Sequence, residues 1–237
     1  VIDDLADTPH VADLLLDQNF FPDPARRYAK RVPRMTRTLF GPAYALIDPA
    51  FAAARRPDRP VRAAPPYRIV VSFGGGDDRG AAVKTLAALA RLRRADLSVA
   101  LVAGGANPRR DEIVAAAKGM EGVAVFDAVD DMVSLLADAD LAVGAGGVST
   151  WERFCLGVPT LALTIAPVQK PHLRALAAEE FLQWEGEAAQ IAPAALADAI
   201  VDLLDDAPAR RRLRERTMGL VDGEGARRVA RALLDAP

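Results

Sequence analysis

A glycine-rich stretch in the second half of the chain carries the residues best suited to bind a ligand. Residues 141–160 read LAVGAGGVSTWERFCLGVPT, which predicts an apolar strand at Leu141–Val143, a turn at Gly144–Gly147 and a helix that begins at Ser149–Thr150. Because glycine has no Cβ, the backbone of such a turn can approach a ligand closely. The free N–H groups of the following helix point at the turn, so the corner is suited to a phosphate or a diphosphate.

Glu152, in the first turn of that predicted helix, suggests a second contact with the same ligand. A carboxylate repels a phosphate, but it accepts hydrogen bonds from two neighbouring hydroxyls, as on a ribose. One corner could thus hold a nucleoside diphosphate by its phosphates and its sugar. A structural role is equally open at this point, in which a Ser or Thr caps the helix and Glu152 complements the helix dipole.

A second glycine loop, Gly74–Gly76 with Asp77 and Asp78, follows the apolar run Arg68–Ser72. It is not a P-loop, because no Lys-Ser/Thr pair follows the glycines, and it does not match the G-x-G-x-x-G fingerprint. Two interpretations remain. The loop approaches a diphosphate at the mouth of a cleft, or one of the two aspartates caps a helix at an ordinary strand-to-helix turn.

The elements that position these loops are predicted to alternate between strand and helix, with short connections, from Arg68 to Glu180. This alternation is typical of an α/β domain with a doubly wound parallel sheet. Ligands bind such sheets at the carboxyl ends of the strands, and both glycine loops directly follow predicted strands. Gln169 and His172 follow the predicted strand Thr160–Thr164, so we expect them at the same edge.

Composition narrows the class of protein. The chain has 237 residues, of which 51% are hydrophobic and 26% charged, as in a soluble globular protein with a sizeable core. A net charge of −2 gives no electrostatic support for a nucleic-acid partner. The apolar runs are broken well before the roughly 18 residues that a membrane span needs.

The few cysteines and histidines restrict the chemistry further. The single cysteine, Cys155, excludes an intrachain disulfide, fits a reducing compartment and predicts a cytoplasmic protein in which this side chain is buried. With two histidines and one cysteine we expect no zinc cluster, and we predict neither a metal nor a cofactor. No Ser-His-Asp set and no pair of acid and base carboxylates stands out.

The N-terminal part of the chain differs from the rest. The chain opens on VID, which reads as the end of a strand, and residues 21–66 are rich in proline and predicted to be mainly loop. The polar segment RRPDRPVRAAPP, residues 55–66, is typical of an interdomain linker. We therefore predict that residues 1–60 are the remnant of an N-terminal domain with its linker, that residues 61–237 form a nucleotide-binding domain, and that an upstream half is missing.

Four blocks of sequence together resemble one family. They are VIDDLADTPHVADLLLDQN, LFGPAYALIDPAF, VVSFGGGDD and FDAVDDMVSLLADADLAVGAGGVSTWERFCLGVPTLAL. Over about residues 1–182 the chain is similar to the sugar-nucleotide hydrolases of pseudaminic acid biosynthesis and to the related spore-coat polysaccharide proteins. The resemblance implies the GT-B fold of the MurG-type glycosyltransferases, here a Rossmann-like C-terminal domain and part of a Rossmann-like N-terminal one, with a nucleotide in the cleft between them.

The resemblance also implies roles for individual residues. The segment 146–150 is similar to the one that binds the diphosphate, and Glu152 to the acid that holds the ribose hydroxyls. Phe126 and the loop to Met132 match the segment that frames uracil, the loop 74–77 lies at the cleft, and Gln169 matches a polar position near phosphate or sugar. The candidate site residues are Gly74, Gly75, Gly76, Asp77, Phe126, Met132, Gly146, Gly147, Val148, Ser149, Thr150, Glu152 and Gln169.

The activity that the resemblance implies is release of UDP from UDP-2,4-diacetamido-2,4,6-trideoxy-β-L-altropyranose by cleavage of the anomeric bond. The family's catalytic histidine lies in a G-x-G-H loop that this sequence lacks, and neither His10 nor His172 has that setting. We therefore expect this chain to bind a UDP-sugar without hydrolysing it, as a monomer or weak dimer. Arg79-Gly80 stands where the family has Asn, so a UDP-sugar glycosyltransferase and a non-catalytic nucleotide-sugar-binding domain stay open as alternatives.

Overall fold

The computed structural model describes residues 1–76 and 78–235, and its N-terminal part is built around two short parallel strands. Strand β1 (Leu14–Asp17) pairs with β2 (Arg37–Phe40), and Ile2 adds a single bridge on the other side of β1. The helices of this part are α1 (Pro24–Tyr28), a 3-10 turn (Pro42–Tyr44) and α2 (Pro49–Ala53).

Residues 21–66 are mainly loop, as predicted, but they also contain α1, β2, the 3-10 turn and α2. Each α-helix begins with an Asp-Pro pair, in which the aspartate caps the helix and the proline occupies the first helical position. Asp23 accepts from the Arg26 amide at 3.1 Å, and Asp48 accepts from the Ala50 amide at 2.8 Å. The prolines that suggested loop therefore start helices, because a proline at the first position gives up no intrahelical hydrogen bond.

The larger part is a six-stranded sheet in which every pairing is parallel. Its strands are β3 (Tyr67–Ser72), β4 (Leu97–Val102), β5 (Val123–Phe126), β6 (Leu141–Ala145), β7 (Thr160–Thr164) and β8 (Gln183–Glu187). Their spatial order is β5-β4-β3-β6-β7-β8. This order confirms the predicted doubly wound, Rossmann-like sheet.

Helices connect these strands and cover the sheet on both faces. They are α3 (Ala81–Leu92), α4 (Arg110–Ala117), α5 (Met132–Ala137), α6 (Ser149–Cys155), a 3-10 turn (Pro167–Gln169), α7 (Lys170–Ala178), α8 (Pro193–Asp205), α9 (Ala207–Leu220) and α10 (Gly225–Leu234). None of the helices within residues 1–76 and 78–235 has the length and apolar character that a bilayer crossing requires.

Alternate residues of β3, at the centre of the sheet, pack into two separate hydrophobic cores. Ile69 and Val71 pack with α3 and α8 on one face, whereas Val70 packs with α6 and α7 on the other. Side chains of a strand point alternately to its two faces, so a strand covered by helices on both sides is apolar throughout. Cys155 is buried in the second core, as predicted.

The strand order reverses between β3 and β6, the two strands that lie side by side at the centre of the sheet. The loops that leave them, at Gly74 and Gly146, diverge to opposite sides because the chain proceeds to β4 in one direction and to β7 in the other. Such a reversal opens a crevice at the carboxyl ends of the strands, which is where ligands of doubly wound sheets bind. Both glycine loops therefore flank the expected binding crevice.

The proposed linker, residues 55–66, contains no helix or strand, but it is held firmly to the larger part of the molecule. Arg55 donates to the carbonyl oxygens of Cys155, Met218 and Val221, and Arg59 donates to those of Ala137 and Asp138. In addition β1 and β2 pack against α10 through a small leucine-rich core. The N-terminal part is thus joined to the sheet domain through Arg55 and Arg59 and, near the C-terminus, through α10.

Candidate functional site

The glycines of the corner after β6 serve different purposes. A Cβ on Gly144 would lie 2.6 Å from both the Ser72 carbonyl oxygen and Arg153 Nη1, and a Cβ on Gly146 would lie 2.6 Å from Leu173 Cγ. Both contacts are too close for a side chain. Gly147, in contrast, has nothing within 4 Å in the direction of a Cβ and is exposed. The first two glycines allow dense packing behind the corner, and the third leaves its front open.

The first turn of α6 presents unpaired backbone donors at this open front. The amides of Thr150 and Trp151 bond to the carbonyl oxygens of Gly147 and Val148, each at 2.9 Å. Within the described residues, the amides of Val148 and Ser149 have no protein acceptor. Val148 occupies the N-cap position in helical conformation, and no side chain caps the helix. The interpretation of Ser149 or Thr150 as an ordinary helix cap was therefore wrong.

Glu152 lies beside these donors and is half-buried. Its carboxylate makes neither a hydrogen bond nor an ion pair with any residue in the part of the chain that the structure describes. Burial raises the pKa of this carboxyl, the neighbouring Arg153 lowers it in part, and Asp48 adds to the rise. A half-buried carboxylate without donors is an unfavourable arrangement, and donors from a ligand would relieve it.

Met132, the first residue of α5, meets Glu152 and Ser149 at a small cavity between the sheet and helices α5 and α6. The cavity has a volume of about 20 Å³ and also borders Ser72 and Arg153. This volume is sufficient for about one water molecule. The structure thus brings the predicted residues 132, 149 and 152 together around one space.

His172 supports the corner from behind. It is buried on α7, and its Nε2 lies 2.8 Å from the carbonyl oxygen of Gly146. A carbonyl can only accept, so Nε2 carries the hydrogen in this arrangement. The ring also packs edge-on against Trp151, with centroids 5.8 Å apart. His172 therefore lies under the corner and not at a solvated helix start.

The loop after β3 lies on the other side of the crevice. Gly74, Gly75 and Gly76 are exposed, and the loop after β4 packs against them through Gly104, whose Cβ would lie 2.7 Å from the Gly74 carbonyl oxygen. The next strand's loop therefore holds this one in place.

The aspartates of the same loop are resolved in part. Asp78 is buried and accepts from the amides of Gly80 at 2.8 Å and Ala82 at 3.1 Å, so it is the aspartate that caps α3. Asp77, the other candidate, lies outside the described residues.

Two further candidate residues stand at the same edge of the sheet. Phe126 ends β5 and is exposed, as a side chain that contacts a base would be. Gln169 follows β7, and its Oε1 accepts from the Ile165 amide at 3.1 Å. Its Nε2 has no hydrogen-bond partner among the described residues. Gln169 thus shapes the turn after β7 and keeps one donor available.

Arg153 is the site residue that sequence reasoning missed. It is 2% exposed, and its guanidinium donates to Ser149 Oγ at 3.2 Å, Thr150 Oγ1 at 3.1 Å and the Ala145 carbonyl oxygen at 2.7 Å. The spacing of three and four residues places these side chains on one helix face. That spacing is visible in the sequence, but it does not reveal that the face is buried.

Comparison with solved structures shows which proteins share this fold. The chain is similar to MurG of Acinetobacter baumannii, with a TM-score of 0.67 and 14% identity over 93% of this chain and 66% of that one. It is also similar to UDP-GlcNAc 2-epimerase of Neisseria meningitidis bound to UDP-GlcNAc, with a TM-score of 0.56 and 16% identity over 71% of this chain and 44% of that one. These likenesses show the fold, which is of the MurG-like GT-B type.

Comparison with curated proteins identifies a more specific relative, although no family model matches the chain. The chain is 29% identical over 201 residues to the spore coat polysaccharide biosynthesis protein SpsG of Bacillus subtilis (strain 168). The match covers 84% of this chain and 59% of SpsG. This protein is therefore SpsG-like in sequence and GT-B-like in fold, which confirms the resemblance to the spore-coat polysaccharide proteins that the sequence motifs indicated.

The packing of Gly104 against the Gly74–Gly76 loop leads to a first prediction. Gly104→Ala should destabilise the protein by about 1–3 kcal/mol, because the methyl group meets backbone atoms and Gly104 has a φ of +85°. Gly105→Ala is the matched control, since nothing lies within 4 Å of its Cβ position, and it should change stability by less than about 0.5 kcal/mol. Urea denaturation of both variants measures the difference, and equal stabilities would contradict the packing described.

Burial of His172 leads to a second prediction. Burial lowers the pKa of His172 below its usual 6.5, and the hydrogen bond to Gly146 opposes this only in part. The unfolded chain therefore takes up this proton at higher pH than the folded chain. Burial of the neutral His172 ring therefore contributes fully to the free energy of unfolding above pH 6.5. That contribution is lost as the pH falls below 6.5 towards the pKa of the folded state.

The His172→Gln variant should consequently lose less stability than the wild type between about pH 7 and pH 5. His10→Gln, the control, keeps His172 and should therefore retain its contribution to that loss. Urea denaturation at several pH values measures the slopes. An unchanged slope in the His172 variant would mean that this ring does not titrate at lower pH in the folded state than in the unfolded state.

Proposed function

We propose that this chain is the UDP-binding half of an enzyme that acts on a UDP-sugar in surface polysaccharide biosynthesis. The observation that supports this best is the pairing, in one crevice, of unpaired backbone donors with an unpartnered half-buried acid. The amides of Val148 and Ser149 supply the donors, and Glu152 is the acid. A nucleoside diphosphate needs both, because its phosphates accept hydrogen bonds and its ribose hydroxyls donate them.

The diphosphate is assigned to the segment 146–150. Its open glycine, Gly147, allows a phosphate oxygen to approach the amides of Val148 and Ser149. The Nε2 of Gln169, at the neighbouring strand end, is a further donor for a phosphate or sugar oxygen. The exposed loop of Gly74, Gly75 and Gly76 closes the other side of the crevice.

The nucleoside is assigned to the side of the crevice near α5. The Glu152 carboxylate accepts from the two ribose hydroxyls, which supplies the hydrogen bonds that it lacks in the protein. Uracil then lies towards Phe126 and the loop that leads to Met132. An exposed aromatic ring and backbone groups suit a flat base that has both a π-face and hydrogen-bonding edges.

The reaction that we propose is hydrolysis of the anomeric bond of a sugar such as UDP-2,4-diacetamido-2,4,6-trideoxy-β-L-altropyranose, with UDP as the leaving group. The corner would stabilise the negative charge that grows on the leaving diphosphate. We propose that the group that activates water lies outside this chain, so that the chain alone binds and does not cleave. The assignment of residues 1–60 to an N-terminal domain and of 61–237 to the nucleotide-binding domain, and action as a cytoplasmic monomer or weak dimer, belong to the same proposal.

The likeness to MurG supports a second candidate, a GT-B glycosyltransferase that transfers the sugar from UDP to an acceptor. Since one fold supports several reactions, full-length protein is needed to separate them. Release of UDP from the UDP-sugar in water alone supports the hydrolase, and release only with an added acceptor supports the transferase.

The assigned role of Glu152 gives a binding prediction that uses this chain directly. The wild-type chain should bind UDP, and it should bind 2′-deoxy-UDP more weakly because one hydroxyl donor is missing. Glu152→Gln should lower UDP affinity roughly tenfold to a hundredfold, the effect of losing hydrogen bonds to a charged group, and should lose most of the discrimination between the two ligands. Isothermal titration calorimetry measures all four affinities.

Glu112→Gln is the matched control, because Glu112 is also an acid in the first turn of a helix but is exposed and lies on α4. It should bind UDP as the wild type does. Failure of the wild-type chain to bind UDP would overturn the proposed function. Binding by wild type and Glu152→Gln with equal affinity would overturn the ribose assignment alone.

A further inference from the structure

The guanidinium of Arg153 lies at the carboxyl end of β6, directly behind the glycine corner. A Cβ on Gly144, in that strand, would meet its Nη1 at 2.6 Å, and the same Cβ would lie 2.6 Å from the Ser72 carbonyl oxygen of β3. The cation therefore lies where β3 and β6 end side by side, at the reversal of strand order. This is the position of the crevice that the ligand is proposed to occupy.

The positive charge of Arg153 has no carboxylate partner in the described part of the chain. Its acceptors are two hydroxyls and one carbonyl, and its Nε has no hydrogen-bond partner. Glu152 raises the pKa of Arg153 without forming an ion pair with it, and burial, the larger effect, lowers that pKa to about 10. Arg153 thus stays charged at neutral pH in a buried position.

Two other buried arginines show what a purely structural arrangement looks like in this protein. Arg210 donates to the carbonyl oxygens of Leu203 and Leu204 at the end of α8, and Arg214 donates to those of Leu156 and Gly157 at the end of α6. A cation is favoured at the C-terminal end of a helix. Arg153 points instead towards the first turn of its own helix, where unpaired amides already concentrate positive charge, so helix stability does not explain its placement.

The hydroxyls of Thr150 and Ser149 both accept from Arg153, but they differ in the partner of their own protons. Thr150 donates its hydroxyl proton to the Ala145 carbonyl oxygen, at 3.3 Å. Ser149 accepts from Arg153 at its Oγ, and its hydroxyl proton has no acceptor among the described residues. Because Ser149 is only half-buried, this proton is available to a ligand at the front of the corner.

We propose that Arg153 is a positioning residue of the nucleotide site, which holds Ser149 as a donor to a diphosphate oxygen and supplies a buried positive charge behind the phosphates. The inference rests on the proposed function, since it concerns the same ligand. It assigns the recognition of the diphosphate to a side-chain pair in addition to the backbone amides. The pair is assigned no hydrogen bond to the nucleoside, so its loss should weaken binding of the nucleoside far less than binding of the diphosphate.

The test compares UDP with uridine, which has the same base and sugar but no phosphate. Arg153→Met should lower UDP affinity roughly tenfold to a hundredfold and change uridine affinity far less, as measured by calorimetry for UDP and ligand-observed NMR for uridine. Ser149→Ala should also weaken UDP selectively, and the two substitutions combined should cost less than the sum of their separate effects, since they act through one contact. Arg153→Lys, which keeps the charge but cannot hold both hydroxyls, should give an intermediate loss.

Arg214→Met is the matched control, because it removes another buried arginine, one on α9 that contacts the C-terminal end of α6. It should lower the melting temperature and leave the ratio of UDP to uridine affinity unchanged. Should Arg153→Met fail to fold, Arg153→Lys and the half-buried Ser149→Ala carry the test.

Three outcomes are distinguishable. Selective loss of UDP affinity in the Arg153 and Ser149 variants supports the inference. A wild-type chain that binds UDP, with variants that bind it equally well or lose UDP and uridine to the same extent, overturns the inference and leaves the proposed function standing. A wild-type chain that does not bind UDP overturns both.

Discussion

The arrangement of the site depends on the absence of a side chain at Gly144. Even one methyl group there would meet the Ser72 carbonyl oxygen of β3 and the Arg153 guanidinium, each at 2.6 Å. Without it, β3 and β6 pair as far as Ser72 and Gly144, and the guanidinium lies against the end of β6. The first turn of α6 is then held to the strand through Thr150 and Arg153, which both bond to the Ala145 carbonyl oxygen. The positions of the Thr150 hydroxyl and the Arg153 guanidinium at the corner follow from this close packing.

Glu152 and Arg153 are adjacent residues of α6 that carry opposite charges but form no ion pair with each other. Burial raises the pKa of Glu152 and lowers that of Arg153, so both charged forms are less favourable than in water. An ion pair would relieve both, but the side chains leave the helix in different directions, Arg153 towards β6 and Glu152 towards α5. Such residues reduce stability unless an external partner satisfies them. The nucleoside diphosphate that we propose as the ligand would satisfy them both, because it is an anion that also carries hydroxyl donors.

The sequence predicted the sheet well where a strand is buried on both faces, as the bounds of β7 show. It did not predict β8, whose residues QWEGE are polar, contain a glycine and are only half-buried at the edge of the sheet. The glycine corner and Glu152 were found because their chemistry is local in sequence. The roles of Arg153 and His172 could not be found in this way, since they depend on what a side chain meets after folding. His172 reaches Gly146 across 26 residues of sequence.

The helices that border the candidate site are fixed at their far ends by the segment predicted to be an interdomain linker. The N-terminal ends of α5 and α6 face the crevice, at Met132 and Ser149. Their C-terminal carbonyl oxygens accept from Arg59 and Arg55, respectively. A cation there satisfies orphan carbonyls and complements the helix dipole. The same residues that connect the N-terminal part to the sheet domain thus hold α5 and α6 in place, so a shift of that segment would move the proposed ribose and diphosphate contacts together.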